Sequence, residues 1–223
     1  MISLLHTTVR PNAWKTAADN WFQNCDHSGN VEYVLVPEKK QFPSLSNLGV
    51  PFEHQVVEYN GNNPTPVGGY NFAAQISHGE VLVLVADDFY SAPHWDTNLL
   101  NLLNGKLDQE VAVWANTNMP SFDPYFISFP IITRPYYKRY GYLFCPEYTS
   151  CYADVEFYEV TELDKIEIID ARNVLMFQHL RGGIGGAFRD DEDYMKHGGP
   201  GDRSGDLYSK RKAAGFPREV LPQ

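Results

Sequence analysis

Apolar and polar positions follow two rhythms along this chain. Ile2–Thr7 is a short apolar, β-prone run and predicts a first strand. Pro11 and Asn12 then open Ala13–Asn24, where Ala13, Ala17, Trp21 and Asn24 fall on one helical stripe. A His27-Ser28-Gly29-Asn30 turn leads to the strand Val31–Val36, stopped by Pro37. Gln55–Tyr59 predicts a short third strand, Gly61–Gly69 a loop, and Tyr70–Ser77 a short helix ended by Gly79. Val81–Ala86 (VLVLVA) is apolar at every position, the mark of a strand covered on both faces.

Beyond it the pattern predicts a helix over Pro93–Asn104, a strand over Val111–Asn116 and a loop of Pro and aromatic residues from Met119 to Pro135. A short helix or turn over Tyr136–Tyr142, a helix over Asp154–Thr161 and a strand over Lys165–Ile169 follow. From Leu180 onward Gly, Asp and Lys dominate, which predicts a mobile loop and a loosely packed tail. Strands alternating with helices give an α/β fold with a mainly parallel sheet and helices on both faces. Such sheets bind ligands beyond the carboxyl ends of their strands. Asp87-Asp88 lies there, at the end of the most apolar strand.

Composition narrows the function classes. The 223 residues suffice for one domain and a tail, and 43% apolar with 21% charged residues is a globular balance. A net charge of −10 argues against gripping nucleic acid with the whole surface. Three cysteines without CxxC spacing (Cys25, Cys145, Cys151) read as reduced thiols. The opening MISLLHTTVRP reads as a strand and not a signal peptide, and Val81–Ala86 is too short to span a bilayer. The expectation is a soluble, cytoplasmic protein with no membrane segment.

The chemistry starts from the acidic pair. Two adjacent carboxylates repel, and a divalent cation with a preference for oxygen ligands, Mg²⁺ or Mn²⁺, relieves that repulsion. A polar strand end, or an Asp capping a helix, reads equally well from the pair alone.

The stretch Gly68–Trp95 (GGYNFAAQISHGEVLVLVADDFYSAPHW) resembles the family 2 glycosyltransferases of the GT-A fold. There a Gly and an Asn precede a small-residue helix, and a Gly leads into an apolar strand that ends in an acidic motif. Gly69, Asn71, Gly79 and Asp87-Asp88 match in order. The usual motif is Asp-x-Asp; Ala86 stands at its first position, as in variants with two adjacent Asp. The resemblance implies a nucleotide-diphosphate sugar as donor, a UDP-sugar by default. It gives Asp87 to the ribose and Asp88 to a Mn²⁺ or Mg²⁺ bridging the diphosphate. Thr7, Thr8 and Arg10 match the loop that holds the nucleobase, and Glu38 stands for the family's Asp after the second strand. Asp154 in Phe144–Val160 matches the general base of an inverting transfer, with Glu156 as its alternative. His179 matches a late metal ligand. Arg181 heads the Gly-rich 182–186 stretch, which reads either as a flexible loop able to close over a diphosphate with Arg181 facing the charge or as a plain surface linker.

The resemblance implies residues 1–186 as a glycosyltransferase domain, with a nucleotide-sugar half over 1–95 and an acceptor half over 96–186. Residues 187–223 become a C-terminal tail packing on the acceptor side. The acceptor stays open between a saccharide, a protein and a modified DNA base, since small soluble members of this kind occur in phages that decorate DNA. Lys210-Arg211-Lys212 beside Tyr208 reads as a solvated helix face or as a grip on a phosphate backbone. Two other readings stand beside the enzyme. One is a catalytically silent nucleotide-sugar-binding module, motivated by Ala86 and Pro37-Glu38. The other is a nucleotidyltransferase, which would want a Gly-rich loop where His6–Pro11 has none.

Overall fold

Val81–Val85 (β4) is buried along its whole length and lies at the middle of a seven-stranded sheet. The fold is given by a computed structural model that describes residues 1–10, 13–37, 54–57, 59, 61–121, 123–180 and 204–218. On one side of β4 lie Ile2–Thr8 (β1), Val31–Pro37 (β2) and His54–Val56 (β3), all parallel to it. On the other side lie Ile131–Thr133 (β7), Val111–Trp114 (β6) and Glu167–Asp170 (β8). Only β7 is reversed: it pairs antiparallel with both β4 and β6, so β6 and β8 again run with β4. Phe89–Tyr90 (β5) and Gln178–His179 (β9) form a separate two-stranded ribbon just beyond the end of β4.

The apolar run of β4 is divided between two cores. Val81, Val83 and Val85 face Trp14–Gln23 (α1) and Trp95–Leu102 (α3), with Trp21, Trp95 and Leu99. Leu82 and Leu84 face Pro66–Ile76 (α2), Arg134–Tyr140 (α4) and Ala153–Leu163 (α5), with Tyr136 and Phe157. Successive side chains of a strand point to opposite faces, so helices on both sides require an unbroken apolar sequence. Two buried indoles have their N–H groups satisfied: Trp21 donates to Phe89 O and Trp95 to Trp21 O, each at 2.8 Å. Among the described residues no helix is long and apolar enough to cross a membrane.

Three expectations need correction. The loop predicted over Gly61–Gly69 already contains the first turn of α2, which starts at Pro66. Thr65 caps it by accepting from the Gly68 N–H, and Pro66 sits where its missing N–H has no partner to lose. The two glycines are inside the helix because of what lies against them. A Cβ at Gly68 would overlap the Asn63 carbonyl, and one at Gly69 would overlap Thr7 Oγ1. Gly69→Ala is therefore expected to lower stability by about 1–3 kcal/mol through overpacking, read as a shifted urea midpoint.

The loop predicted from Met119 to Pro135 hides β7, whose three residues are too few to show a period. Pro135 then falls in the first turn of α4 rather than ending a loop. The tail is not loose where it is described: Ser204–Ala213 (α6) is a helix, and its Arg211 is buried, as is Phe216 just beyond it.

One arginine ties the start of α4 to the segment between α2 and β4. Arg134 donates to Gly79 O at 2.8 Å, Ala74 O at 2.9 Å and Ser77 O at 3.0 Å, covering the carbonyls left open at the end of α2.

Candidate active site

The carboxyl ends of β1 and β4 are adjacent because His6 is in register with Val85. Two residues further, Asp87 turns back over β1 and is buried. Its Oδ1 meets His6 Nε2 at 3.0 Å; its Oδ2 accepts from Thr8 Oγ1 at 2.8 Å and from Arg10 Nη1 at 3.3 Å. An ionised carboxylate only accepts, so the His6 proton sits on Nε2, and Nδ1 accepts from the Tyr33 hydroxyl at 2.6 Å. Burial holds Tyr33 protonated and so keeps it a donor. The resemblance gave Asp87 to a ribose, but in this structure both its oxygens already have partners within the chain. His6 escaped the sequence reading. Its signal was there: it continues the inward series Ile2, Leu4 on the core face of β1, a place where a polar ring needs partners.

Asp88 is brought to His179 by the β5–β9 ribbon, in which Phe89 pairs with His179. Leu180 N–H donates to Asp88 O at 2.8 Å and His179 N–H to Thr117 O at 3.0 Å, fixing both residues through the backbone. Asp88 Oδ1 and His179 Nε2 are then 3.4 Å apart, each side chain still partly open to solvent. That spacing suits two neighbouring ligands on one ion with bonds of about 2.0–2.2 Å. A carboxylate oxygen and an imidazole nitrogen are both ligand types that a divalent ion such as Mn²⁺ accepts. The donor set fits a divalent metal.

The third group lies beside this pair. A cleft of about 220 Å³ is lined by Val67, Tyr70, Leu84, Phe129, Phe144 and Asp154, among others. Phe129 joins it to the metal-type pair: its ring lies 4.9 Å from that of His179 and stacks on Phe89 at 4.1 Å. Asp154 sits in the first turn of α5, and Tyr152, at φ 67°, occupies the cap position. The carboxylate accepts from Val155 N–H at 3.0 Å, and among the described residues no cation pairs with it. Burial pushes its pKa up from 3.8 to about 6. A carboxyl that titrates near neutrality inside a cleft is suited to taking a proton.

Other expected residues have different surroundings. Glu156, expected as the alternative base, is engaged within the fold: it accepts a two-pronged contact from Arg211 (Nε to Oε2 and Nη2 to Oε1, both 2.9 Å) and a Tyr148 hydroxyl at 2.7 Å. Asn71 clamps the backbone of Leu143 and Phe144, accepting two N–H groups at 2.9 Å and donating to Phe144 O at 2.7 Å. Thr7 faces Gly69 across the opposite side of β1 from Thr8. Glu38, Arg181 and the 182–186 loop lie outside the described residues. The basic cluster of the tail is largely matched within the fold, since Arg211 pairs with Glu156 and Lys212 with Glu159 at 2.7 Å. Away from the cleft, Asp26, His27 and Asp96 bring ligand-type atoms within 4.8 Å of one another. There Asp96 accepts the backbone N–H groups of Asp26 and His27, both at 2.9 Å, and joins the exit of α1 to α3.

No family model and no curated protein matches the sequence. Solved structures do match in shape. TarS from S. aureus superposes with a TM-score of 0.64 at 15% identity over 81% of this chain and 37% of its own. Its 1–349 fragment in complex with UDP gives 0.56 at 16% identity, over 70% and 53%. The mannosyltransferase PcManGT from Pyrobaculum calidifontis, in complex with GDP-Man and Mn²⁺, gives 0.62 at 14% identity, over 99% of this chain and 66% of its own. The chain spans about half the length or less of the TarS structures. At such identities the likeness shows the fold, a GT-A-type mixed α/β architecture.

Proposed function

We propose that this chain is a metal-dependent, inverting glycosyltransferase that moves a sugar from a nucleotide-diphosphate donor to an acceptor hydroxyl. The observation that carries the reading is the meeting, around Phe129, of the Asp88–His179 pair and the cleft that holds Asp154. In this reading Asp88 and His179 hold Mn²⁺ or Mg²⁺, and the ion when bound offsets the negative charge of the departing diphosphate. Asp154 takes the proton of the acceptor hydroxyl as its oxygen attacks the anomeric carbon from the face opposite the diphosphate. Tyr70, Phe129 and Phe144 give that cleft the flat apolar surfaces on which a sugar ring packs, and they keep bulk water from the attacking oxygen. Thr8 and Arg10, fixed on Asp87, stand at the nucleotide side of the donor.

A UDP-sugar is the first donor class to test and a GDP-sugar the second, since one structural neighbour was solved with UDP and another with GDP-Man. Thermal melts with each donor, with and without Mn²⁺, test the site. Donor plus Mn²⁺ at 100 times its Kd is expected to add about 2.7 kcal/mol of stability to the unaltered protein. Asp88→Ala and His179→Ala should lose most of that gain. A gain that is as large in Asp88→Ala as in the unaltered protein, or that is independent of Mn²⁺, removes the metal assignment.

A further inference from the structure

The helix α6 grips two walls of the cleft through Arg211. Arg211 of α6 is buried and binds three segments at once. Its Nε and Nη2 grip Glu156 in the first turn of α5, its Nη1 donates to Glu147, and its Nη2 also donates to Pro217 O at 2.9 Å. Tyr148 closes the arrangement from the same loop by donating to Glu156 Oε2 at 2.7 Å. That loop and that helical turn are two walls of the cleft: Phe144 and Ser150 flank Glu147 and Tyr148, and Ala153 and Asp154 precede Glu156. The fork therefore fixes the first turn of α5 against the 144–150 loop. Lys212 and Tyr208 add a second attachment, both to Glu159 one turn further along α5.

We propose that Arg211 is a positioning residue of the acceptor site: acting through Glu156, it holds Asp154 and the 144–150 wall in one fixed arrangement. The inference rests on the reading of Asp154 as the base. A buried ion pair is a poor source of net stability, because removing two charges from water offsets their attraction. It does fix geometry, and a planar guanidinium gripping both oxygens of a carboxylate fixes it in direction as well as distance. Displacement of a reacting group by about 1 Å can slow a reaction about 10²-fold.

The test uses the full chain, with UDP- or GDP-sugar and Mn²⁺ as probes. Arg211→Met is expected to lower kcat about 10- to 100-fold while the donor-induced thermal shift stays at its unaltered size. Arg211→Lys keeps a charge but not the fork and should recover part of the rate. The double variant Glu156→Gln/Arg211→Met leaves no buried charge unpaired, so it should melt near the unaltered protein and still turn over slowly. A second readout needs no turnover: Cys145, buried in the same loop, should alkylate faster in Arg211→Met than in the unaltered protein. A double variant that melts normally with kcat within about twofold of the unaltered protein overturns the proposal. If the double variant also melts early, unimpaired kcat in Arg211→Lys overturns it. Full activity of Asp154→Asn would instead overturn the underlying reading of the site, whatever the Arg211 variants do.

Discussion

Asp154→Asn is expected to lower turnover by about 10²–10⁴-fold, the usual contribution of a positioned general base, while donor and Mn²⁺ still bind. Asn keeps the shape and the hydrogen bond from Val155 N–H but cannot take a proton. In the unaltered protein turnover should rise with pH through about 6, where the Asp154 carboxyl, half-buried in the cleft, ionises. The same shift makes a prediction about stability, with the opposite sense. The carboxyl titrates near 6 in the folded chain against 3.8 as an ordinary Asp, so the folded state holds that proton more tightly. The stability it contributes is fully present below about pH 4 and is lost as pH rises through about 6. Asp154→Asn removes this dependence. At pH 8 the variant should be more stable than the unaltered protein by about 1–3 kcal/mol, and at pH 4 the two should melt together. The attraction of the α5 N-terminus for a carboxylate works against part of that gain. A variant that is both slower and more stable at pH 8 marks a residue kept for chemistry. A variant that retains more than about one-tenth of the rate is not missing its base.

How much of this was legible in the sequence depends on the length of the signal. β4 is an unbroken apolar run of five residues and α1 keeps a helical period over ten, and both fall where the pattern put them. β7 has three residues and no period of its own; its place between β4 and β6 comes from tertiary pairing, which no local pattern carries. The start of α2 was obscured because Gly68 and Gly69 look like loop residues, whereas they are glycines for the close approach of α2 to its surroundings. For the site, the ordered series Asp88, Asp154, His179 was readable as types and order. Their partners were not: Phe129 lay in an aromatic loop with no pattern, and the pairing of Glu156 with Arg211 spans 55 residues. Asp87 shows the same limit. Its position was clear, yet its partners His6 and Thr8 lie about 80 residues upstream and become neighbours only through the β1–β4 register.

That register leads to the second large effect. Asp87→Ala is expected to destabilise the fold by about 3–5 kcal/mol. The mutation leaves the His6 N–H buried without its acceptor and the Thr8 hydroxyl with the long contact to Arg10 O at 3.5 Å, and it takes from the Arg10 guanidinium its buried carboxylate. Total stabilities of about 5–15 kcal/mol make such a loss visible as a much lower urea midpoint, or as failure to fold at ambient temperature. Asp87→Asn is milder, at about 1–3 kcal/mol, because the amide keeps one acceptor oxygen but turns an N–H toward groups that are themselves donors. His6→Phe separates the two halves of the knot. It leaves the Asp87 contacts from Thr8 and Arg10 in place and should cost less than Asp87→Ala. A residue whose sole partner was a bound ribose would behave otherwise: its removal would weaken donor binding and leave the ligand-free midpoint unchanged within about 0.5 kcal/mol. The urea midpoint of ligand-free Asp87→Ala therefore decides whether this carboxylate is first an anchor between β1 and β4 or first a hand for the donor. The four donors already gathered within its reach, directly or through His6, predict the anchor.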